Sequence, residues 1–306
     1  MHLPTETGNN ISSAGINCVL RLVDPFFGQA DTLQYITSIL FTGDGCFISV
    51  HDKETRTFHV LLRYQFGLAP GEVFSPSGYE SYRKAAMATI KAADEMGISM
   101  RNPRVAFAST RNTLVPGSFY NADTAARCFE LNYTAIQGEA LNHEYIRALD
   151  AYNIYSIPPV VQDVVSGNFP GVALHSVNGV VINSLLIDHA GSGDTIMLAD
   201  IAERNLKIMV SGHESLIYCN DFEVNTIEDV VYYIVFVSGQ INPAGKIPLW
   251  LSGGINEGSR THELLISYLE NAAFIEKPQG VSLAPVFRGI SWHNFFTVFT
   301  VALCES

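Results

Sequence analysis

The sequence predicts an α/β protein built as two similar halves, with mixed sheets flanked by helices. Three observations carry that expectation. Residues 215–259 read as strand, helix, strand and glycine turn, and the order three strands, helix, strand, helix, strand, helix can be traced once in each half. The turn-rich segment His189-Ala190-Gly191-Ser192-Gly193-Asp194 stands between them.

In the first half, strand-like runs at 35–42, 46–51 and 57–66 are separated by Gly43-Asp44-Gly45 and Asp52-Lys53-Glu54, the pattern of an antiparallel meander. A helix is expected over 78–96, with Tyr79, Tyr82, Ala86 and Ile90 on one face and Gly97 as its stop. A strand at 104–108 follows, then Leu114-Val115-Pro116 and a polar stretch with a helix near 121–131. A strand at 153–157, a proline-initiated helix at 158–165, a strand at 172–175 and a helix at 178–187 close the half.

The second half places strands at 195–200, 206–210 and 215–223. Its first helix starts at Thr226, because a Thr three residues before Asp229 is a capping box and Glu228 and Asp229 put negative charge on the positive end of the helix dipole. The body, 230–237, is apolar apart from two tyrosine hydroxyls, so several of its sides are expected to pack. Ser238-Gly239 reads as the stop. A strand over 247–251 then runs into Ser252-Gly253-Gly254, a glycine turn at the carboxyl end of a buried strand, where ligands bind in open α/β sheets. A helix at 260–269, a strand at 281–287 and an apolar segment at 291–304 finish the chain. The expected organisation is a disordered leader or arm over 1–15, a first domain over 16–190 carrying an insertion at about 109–150, and a second domain over 191–306.

Composition narrows the function classes. The 306 residues are 47% apolar and 16% charged, enough for a sizeable core. Lys plus Arg total 18 against 30 for Asp plus Glu, a net charge of −12, which disfavours nucleic acid or an anionic membrane as partner. Five scattered cysteines without metal-ligand spacing read as reduced thiols. The first residues lack the basic and apolar regions of a secretory signal, and no run reaches the roughly 18–20 apolar residues that span a bilayer. The expected location is the cytoplasm, where the sequons at Asn10 and Asn132 carry no meaning.

Asn220-Asp221-Phe222-Glu223, Glu228-Asp229-Val230-Val231-Tyr232-Tyr233, Phe236, Gln240-Ile241-Asn242 and the run 249–253 resemble the DUF3822 family, of unknown function, found in Bacteroidetes. Leu114-Val115-Pro116 with Phe119-Tyr120, the run 153–158 and Cys304-Glu305 look like it too. The resemblance implies duplicated ribonuclease-H-like domains, the actin-like ATPase fold, similar to PilM and FtsA. Those proteins carry an inserted subdomain in the first half, where 109–150 falls.

Actin-like ATPases hold nucleotide between their halves. Each half offers an Asp-x-Gly hairpin to the phosphates and the second half a Gly-Gly turn to the adenosine, because glycine lets backbone N–H groups come close. The matching positions here are Asp44-Gly45, Asp200-Ile201-Ala202 and Ser252-Gly253-Gly254. The first lacks the spacer residue and the second has Ala202 where glycine belongs. By the resemblance, Asp44 and Asp200 would hold the magnesium of Mg-ATP if the two halves face one another.

Weaker patterns have plain readings. Gly239 to Lys246 has five residues instead of four between its glycines, so it departs from a phosphate loop, and Ser81-Tyr82-Arg83-Lys84 reads as a helix face. His51 and His59 suit a cross-strand pair better than a metal site. Asp44, Asp200 and Glu203 would be the carboxylates of a two-metal nuclease on this fold, against which the acidic composition argues. Two readings remain open: a degenerate fold that binds a protein partner as scaffold or assembly factor, and an ATP-binding switch or ATPase using the interdomain cleft.

Overall fold

The computed structural model describes residues 16–28, 32–69, 71–188, 194–212, 215–242, 247–269 and 271–304. The leader over 1–15 and most of the separating segment, 189–193, lie outside the described residues, as do Gly245 and Lys246.

The first half opens with β1 (Asn17–Val23), β2 (Tyr35–Thr42), β3 (Gly45–Asp52) and β4 (Thr57–Gln65), followed by α1 (Pro76–Glu95) and β5 (Arg104–Phe107). Ser75 starts α1 by accepting the Gly78 N–H at 3.0 Å, with Pro76 in the first turn, where its missing N–H costs nothing. Tyr82 of α1 is fully buried and donates its hydroxyl to the Thr42 carbonyl at 2.9 Å, so α1 packs directly beneath the β2–β3 turn.

An inserted unit comes next: β6 (Asn112–Pro116), α2 (Ala125–Glu130), β7 (Ala140–Ile146) and β8 (Ala151–Ile157). These strands form a separate sheet in the order β6-β8-β7, with a small core of Val115, Ala125, Phe129 and Ile154. The strand read at 153–157 is therefore part of the inserted sheet and not of the main one. The chain then returns through α3 (Pro159–Asn168), β9 (Leu174–Ser176) and α4 (Val177–Asp188).

The second half contains β10 (Ile196–Ile201), β11 (Asn205–Gly212), β12 (Ser215–Glu223), α5 (Ile227–Ile241), β13 (Leu249–Gly253), α6 (Arg260–Tyr268) and β14 (Ala272–Phe274). Thr226 and Asp229 form the expected capping box. The helix runs through Gly239 to Ile241: a Cβ there would meet nothing within 4 Å, so this exposed glycine costs only its propensity, about 1 kcal/mol.

The duplication is evident in the sheets. The second has the order β12-β11-β10-β13-β14, and the first contains β4-β3-β2-β5-β9 in the same sense. In each, the first three strands are antiparallel and the last two join parallel. Four strands are not among those read from sequence: β1 and β7, whose side chains are mostly half-exposed, the short β6, and the three-residue β14.

The end of the chain turns back to the first sheet. Of the strand expected at 281–287, only β15 (Ser282–Leu283) is extended, pairing parallel with β4, while Pro285–Phe287 is a 3-10 turn. A second 3-10 turn, Trp292–Phe295, leads into α7 (Phe296–Leu303). With α4, α7 forms a core shared by both halves, in which Leu40 and Phe58 of the first sheet join Leu198 and Met209 of the second.

Candidate functional site

In the second half, four of the positions singled out in sequence converge where β10 and β13 run parallel. Asp200 lies opposite Ser252, and Ile201 opposite Gly253. The fully buried Ser252 donates its hydroxyl to Asp200 Oδ1 at 2.8 Å, and Thr297 at the start of α7 donates to Oδ2 at 3.0 Å. Both carboxylate oxygens are thus held by neutral hydroxyls.

Gly253 has φ +84°, and a Cβ there would lie 2.2 Å from the Ile201 carbonyl oxygen. Only glycine fits that approach. The Gly254 N–H is bonded to the same carbonyl at 2.6 Å, and Asn294 Nδ2 donates to the carbonyls of Gly253 at 2.8 Å and Ile255 at 3.1 Å. His293 reaches Ile255 O at 2.9 Å and stacks on Phe274; its burial pushes its pKa down. Ala202 is exposed and closes the β10–β11 turn, its N–H donating to Asn205 O at 2.8 Å.

In the first half, Asp44 sits in the β2–β3 turn with its own partners. Oδ1 accepts from the Thr42 hydroxyl at 2.7 Å, and Oδ2 accepts from Arg63 at 2.8 Å. The Arg63 guanidinium lies over the Phe47 ring, 4.3 Å from its centroid. Gly45 is glycine for a local reason: a Cβ would stand 2.0 Å from the Tyr64 carbonyl oxygen on β4. Between the two aspartates runs a chain of contacts, from Arg63 to Phe47, from Phe47 edge-on to Phe295 at 6.4 Å, and through the next turn to Thr297 on Asp200.

Sequence reasoning missed a second polar cluster, at the junction of the inserted sheet, α4 and the second sheet. Lys207 on β11 and Asp221 on β12 form a buried ion pair at 2.7 Å, with side chains 8% and 5% exposed. Lys207 also donates to Asn178 of α4, while Asn205 donates to Asp221 Oδ1 at 2.9 Å. Burial disfavours the charged lysine, yet Asp221 beside it raises its pKa on balance. From the inserted sheet, the Glu144 carboxylate accepts the Ser176 N–H at 3.2 Å and lies so close to Gly179 that a Cβ there would be 2.2 Å from Oε1. It therefore puts negative charge at the positive end of α4. A lone lysine inside the apolar run Leu206–Val210 was the available signal.

The remaining motifs resolve locally. His51 lies opposite Phe58 across the strands and meets its ring at a tilt, while His59 pairs instead with Asp24 at 2.8 Å, so the two histidines are not partners. Ser81 bonds back to the Ser77 carbonyl on α1. Glu203 is exposed in its turn, and among the described residues no group of three or more His, Cys, Asp or Glu is placed to hold a metal ion. Among them also, no helix is long and apolar enough to cross a membrane.

Known proteins place this geometry in context. The sequence profile of DUF3822, a protein family of unknown function, matches residues 25–272, and the chain belongs to that family. Among solved structures, a Bacteroides thetaiotaomicron protein with actin-like ATPase fold and unknown function is similar over 91% of this chain and 100% of its own, with 17% identity and a TM-score of 0.69. The PilM–PilN type IV pilus biogenesis complex contains a chain similar over 88% of this one and 96% of its own, with 12% identity and a TM-score of 0.60. The fold is thus the actin-like ATPase fold, with its two ribonuclease-H-like halves. No curated protein matches by sequence.

Proposed function

We propose that this member of DUF3822 is a protein-binding scaffold or assembly factor, in which the nucleotide positions of the actin-like fold have become part of its own packing. The observation that carries the reading is the internal engagement of those positions. Asp44 is neutralised by Arg63, both oxygens of Asp200 are taken by Ser252 and Thr297, and the Gly254 N–H is bonded to Ile201 O.

Mg-ATP does not fit these residues as they stand. A magnesium ion at Asp44 would compete with a guanidinium at 2.8 Å, and an adenosine at the Gly254 N–H would have to displace a 2.6 Å hydrogen bond. Exposed apolar side chains on the inserted unit, Phe119 and Leu131, support a surface used for protein contact, and the similar PilM fold is found in a complex with PilN. At 12% identity that neighbour argues for the capacity of the fold and not for the same partner.

Two measurements test the reading. Millimolar Mg-ATP is expected to leave the melting temperature unchanged, and Phe119→Asp with Leu131→Asp is expected to release a host protein retained by the wild-type chain. A rise of several degrees with Mg-ATP that Gly253→Asp abolishes would establish the switch instead. Failure to retain any protein would remove the scaffold.

A further inference from the structure

The two halves end their sheets on equivalent strands, β4 and β12, and treat those edges differently. The outer edge of β4 is covered. β1 pairs with it antiparallel, β15 pairs parallel at Thr57 and Phe58, and the carbonyls of Arg56, Phe58 and His59 accept the N–H groups of Ser282, Ala284 and Asp24. Among the described residues, β12 pairs only with β11. Nine residues long, it reads Ser-Leu-Ile-Tyr-Cys-Asn-Asp-Phe-Glu, without a lysine or proline of the kind that blunts a free edge. One bulge interrupts it, at Ile217, leaving 218–223 in unbroken register with β11.

Beside this edge stands a row of rings. Phe222 on β12 stacks on Tyr233 of α5 at 4.3 Å, Tyr233 meets Tyr232, and Tyr232 stacks on Phe236 at 5.9 Å. Tyr232 and Phe236 are 60% and 50% exposed, and Ile217 is 44% exposed. Among the described residues, an open strand edge and an uncovered aromatic helix face are thus neighbours on one side of the second half.

We propose that β12 pairs antiparallel with β12 of a second copy of this chain, forming a two-fold dimer with one continuous sheet. The strand is self-complementary in charge. Pairing centred on Cys219 or on Asn220 sets Asp221 and Glu223 opposite uncharged residues, so no carboxylate faces another. The axis of such a pair is perpendicular to the sheet, so both α5 helices lie on the same face, antiparallel, on either side of it. α5 packs on β10 and reaches β12 through Tyr233 on Phe222, so both helices flank the joined edge on one face, with Tyr232 and Phe236 exposed beside it. The first half already shows the occupant this edge geometry takes, since β1 lies antiparallel on β4.

The proposal is independent of whether the cleft binds nucleotide. Light scattering after gel filtration and sedimentation equilibrium on the full chain are expected to give twice the 33.5 kDa chain mass at micromolar concentration. Tyr232→Glu with Phe236→Glu, and separately Ile217→Lys, should shift the equilibrium at least tenfold toward monomer with an unchanged far-UV spectrum. Phe26→Glu, at an exposed apolar residue of the first half, should not. Hydrogen exchange should show β12 amides slowed in the wild type and released in the variants. A monomer at 100 µM wild-type chain with fast alternate β12 amides overturns the proposal, leaving the edge to another protein or to none. A dimer unaffected by all three β12 and α5 substitutions overturns it as well.

Discussion

Phe47–Arg63 in the first half and Lys207–Asp221 in the second occupy the same place: second strand, two residues past its start, paired with the third strand. In the first half the pair is a cation over a ring, and the guanidinium reaches outward to Asp44 in the turn. The second half turns the charge inward, seals it under α4 and the inserted sheet, and leaves Asp200 to two hydroxyls. One fold, repeated, therefore neutralises one hairpin aspartate with a cation and holds the other with uncharged donors. Duplication preserves strand order while freeing each copy to place its charges separately.

Lys207→Ala breaks the comparison most severely. It leaves Asp221 buried without its cation, and loss of one member of a buried pair costs about 3–5 kcal/mol. Urea unfolding should show that loss, and Lys207→Met combined with Asp221→Leu should restore most of it. If the single variant loses less than about 1 kcal/mol, water reaches the junction and the two halves are less different than the geometry indicates.

A second contrast sets Lys207 against His51, the buried base of the first half. Lys207 keeps its proton because Asp221 is 2.7 Å away, whereas His51, 3% exposed, has Phe58 against its ring and, among the described residues, no hydrogen-bond partner on Nδ1. Burial, reinforced by Arg104 and Arg56, pushes its pKa from 6.5 down to about 4. The unfolded chain takes up this proton below pH 6.5 and the folded chain does not until about pH 4, so stability falls as the pH drops through that window. Between pH 7 and pH 4.5 the wild type should lose about 2 kcal/mol more than His51→Leu, measured by urea unfolding at each pH. Equal losses would mean that His51 is protonated in the folded protein.

Gly253→Ala tests the glycine turn. With φ at +84° and a carbonyl 2.2 Å from the new Cβ, the substitution should cost about 2 kcal/mol. Gly45→Ala tests the other half, where φ is ordinary and the obstacle is the Tyr64 carbonyl alone. A melting temperature unchanged by Gly253→Ala would show the turn to be pliable enough to accept a ligand.

Much of this fold was legible because its signals are local. The capping box of Thr226 and Asp229, the glycine turns and the apolar runs of β2, β3, β4, β10 and β11 are written within a few residues. What escaped depends on distant partners. β1 is a strand because β4 offers it an edge, and β8 belongs to the inserted sheet because β6 and β7 flank it. Likewise the glycines at 45 and 253 are visible in sequence, but their close neighbours are carbonyls on adjacent strands. Thr297 and Asn294, which complete the Asp200 site, lie about a hundred and about forty residues from the groups they hold, so no spacing rule reaches them.

Arg63→Met makes the finest cut between the halves. It keeps a side chain over Phe47 while removing the charge from Asp44, whose carboxylate is 47% exposed. Water screens a pair at that exposure, so the ion pair and the ring contact together should be worth about 1 kcal/mol. The functional readout is sharper than the energetic one. If Arg63 is what makes the first hairpin unfit for Mg-ATP, the variant should show a magnesium-dependent rise in melting temperature with ATP that the wild type lacks. No rise is expected, because the Gly254 N–H and both oxygens of Asp200 remain engaged in the second half. A rise would mean that a single arginine of the first half, and not the second half, keeps Mg-ATP out.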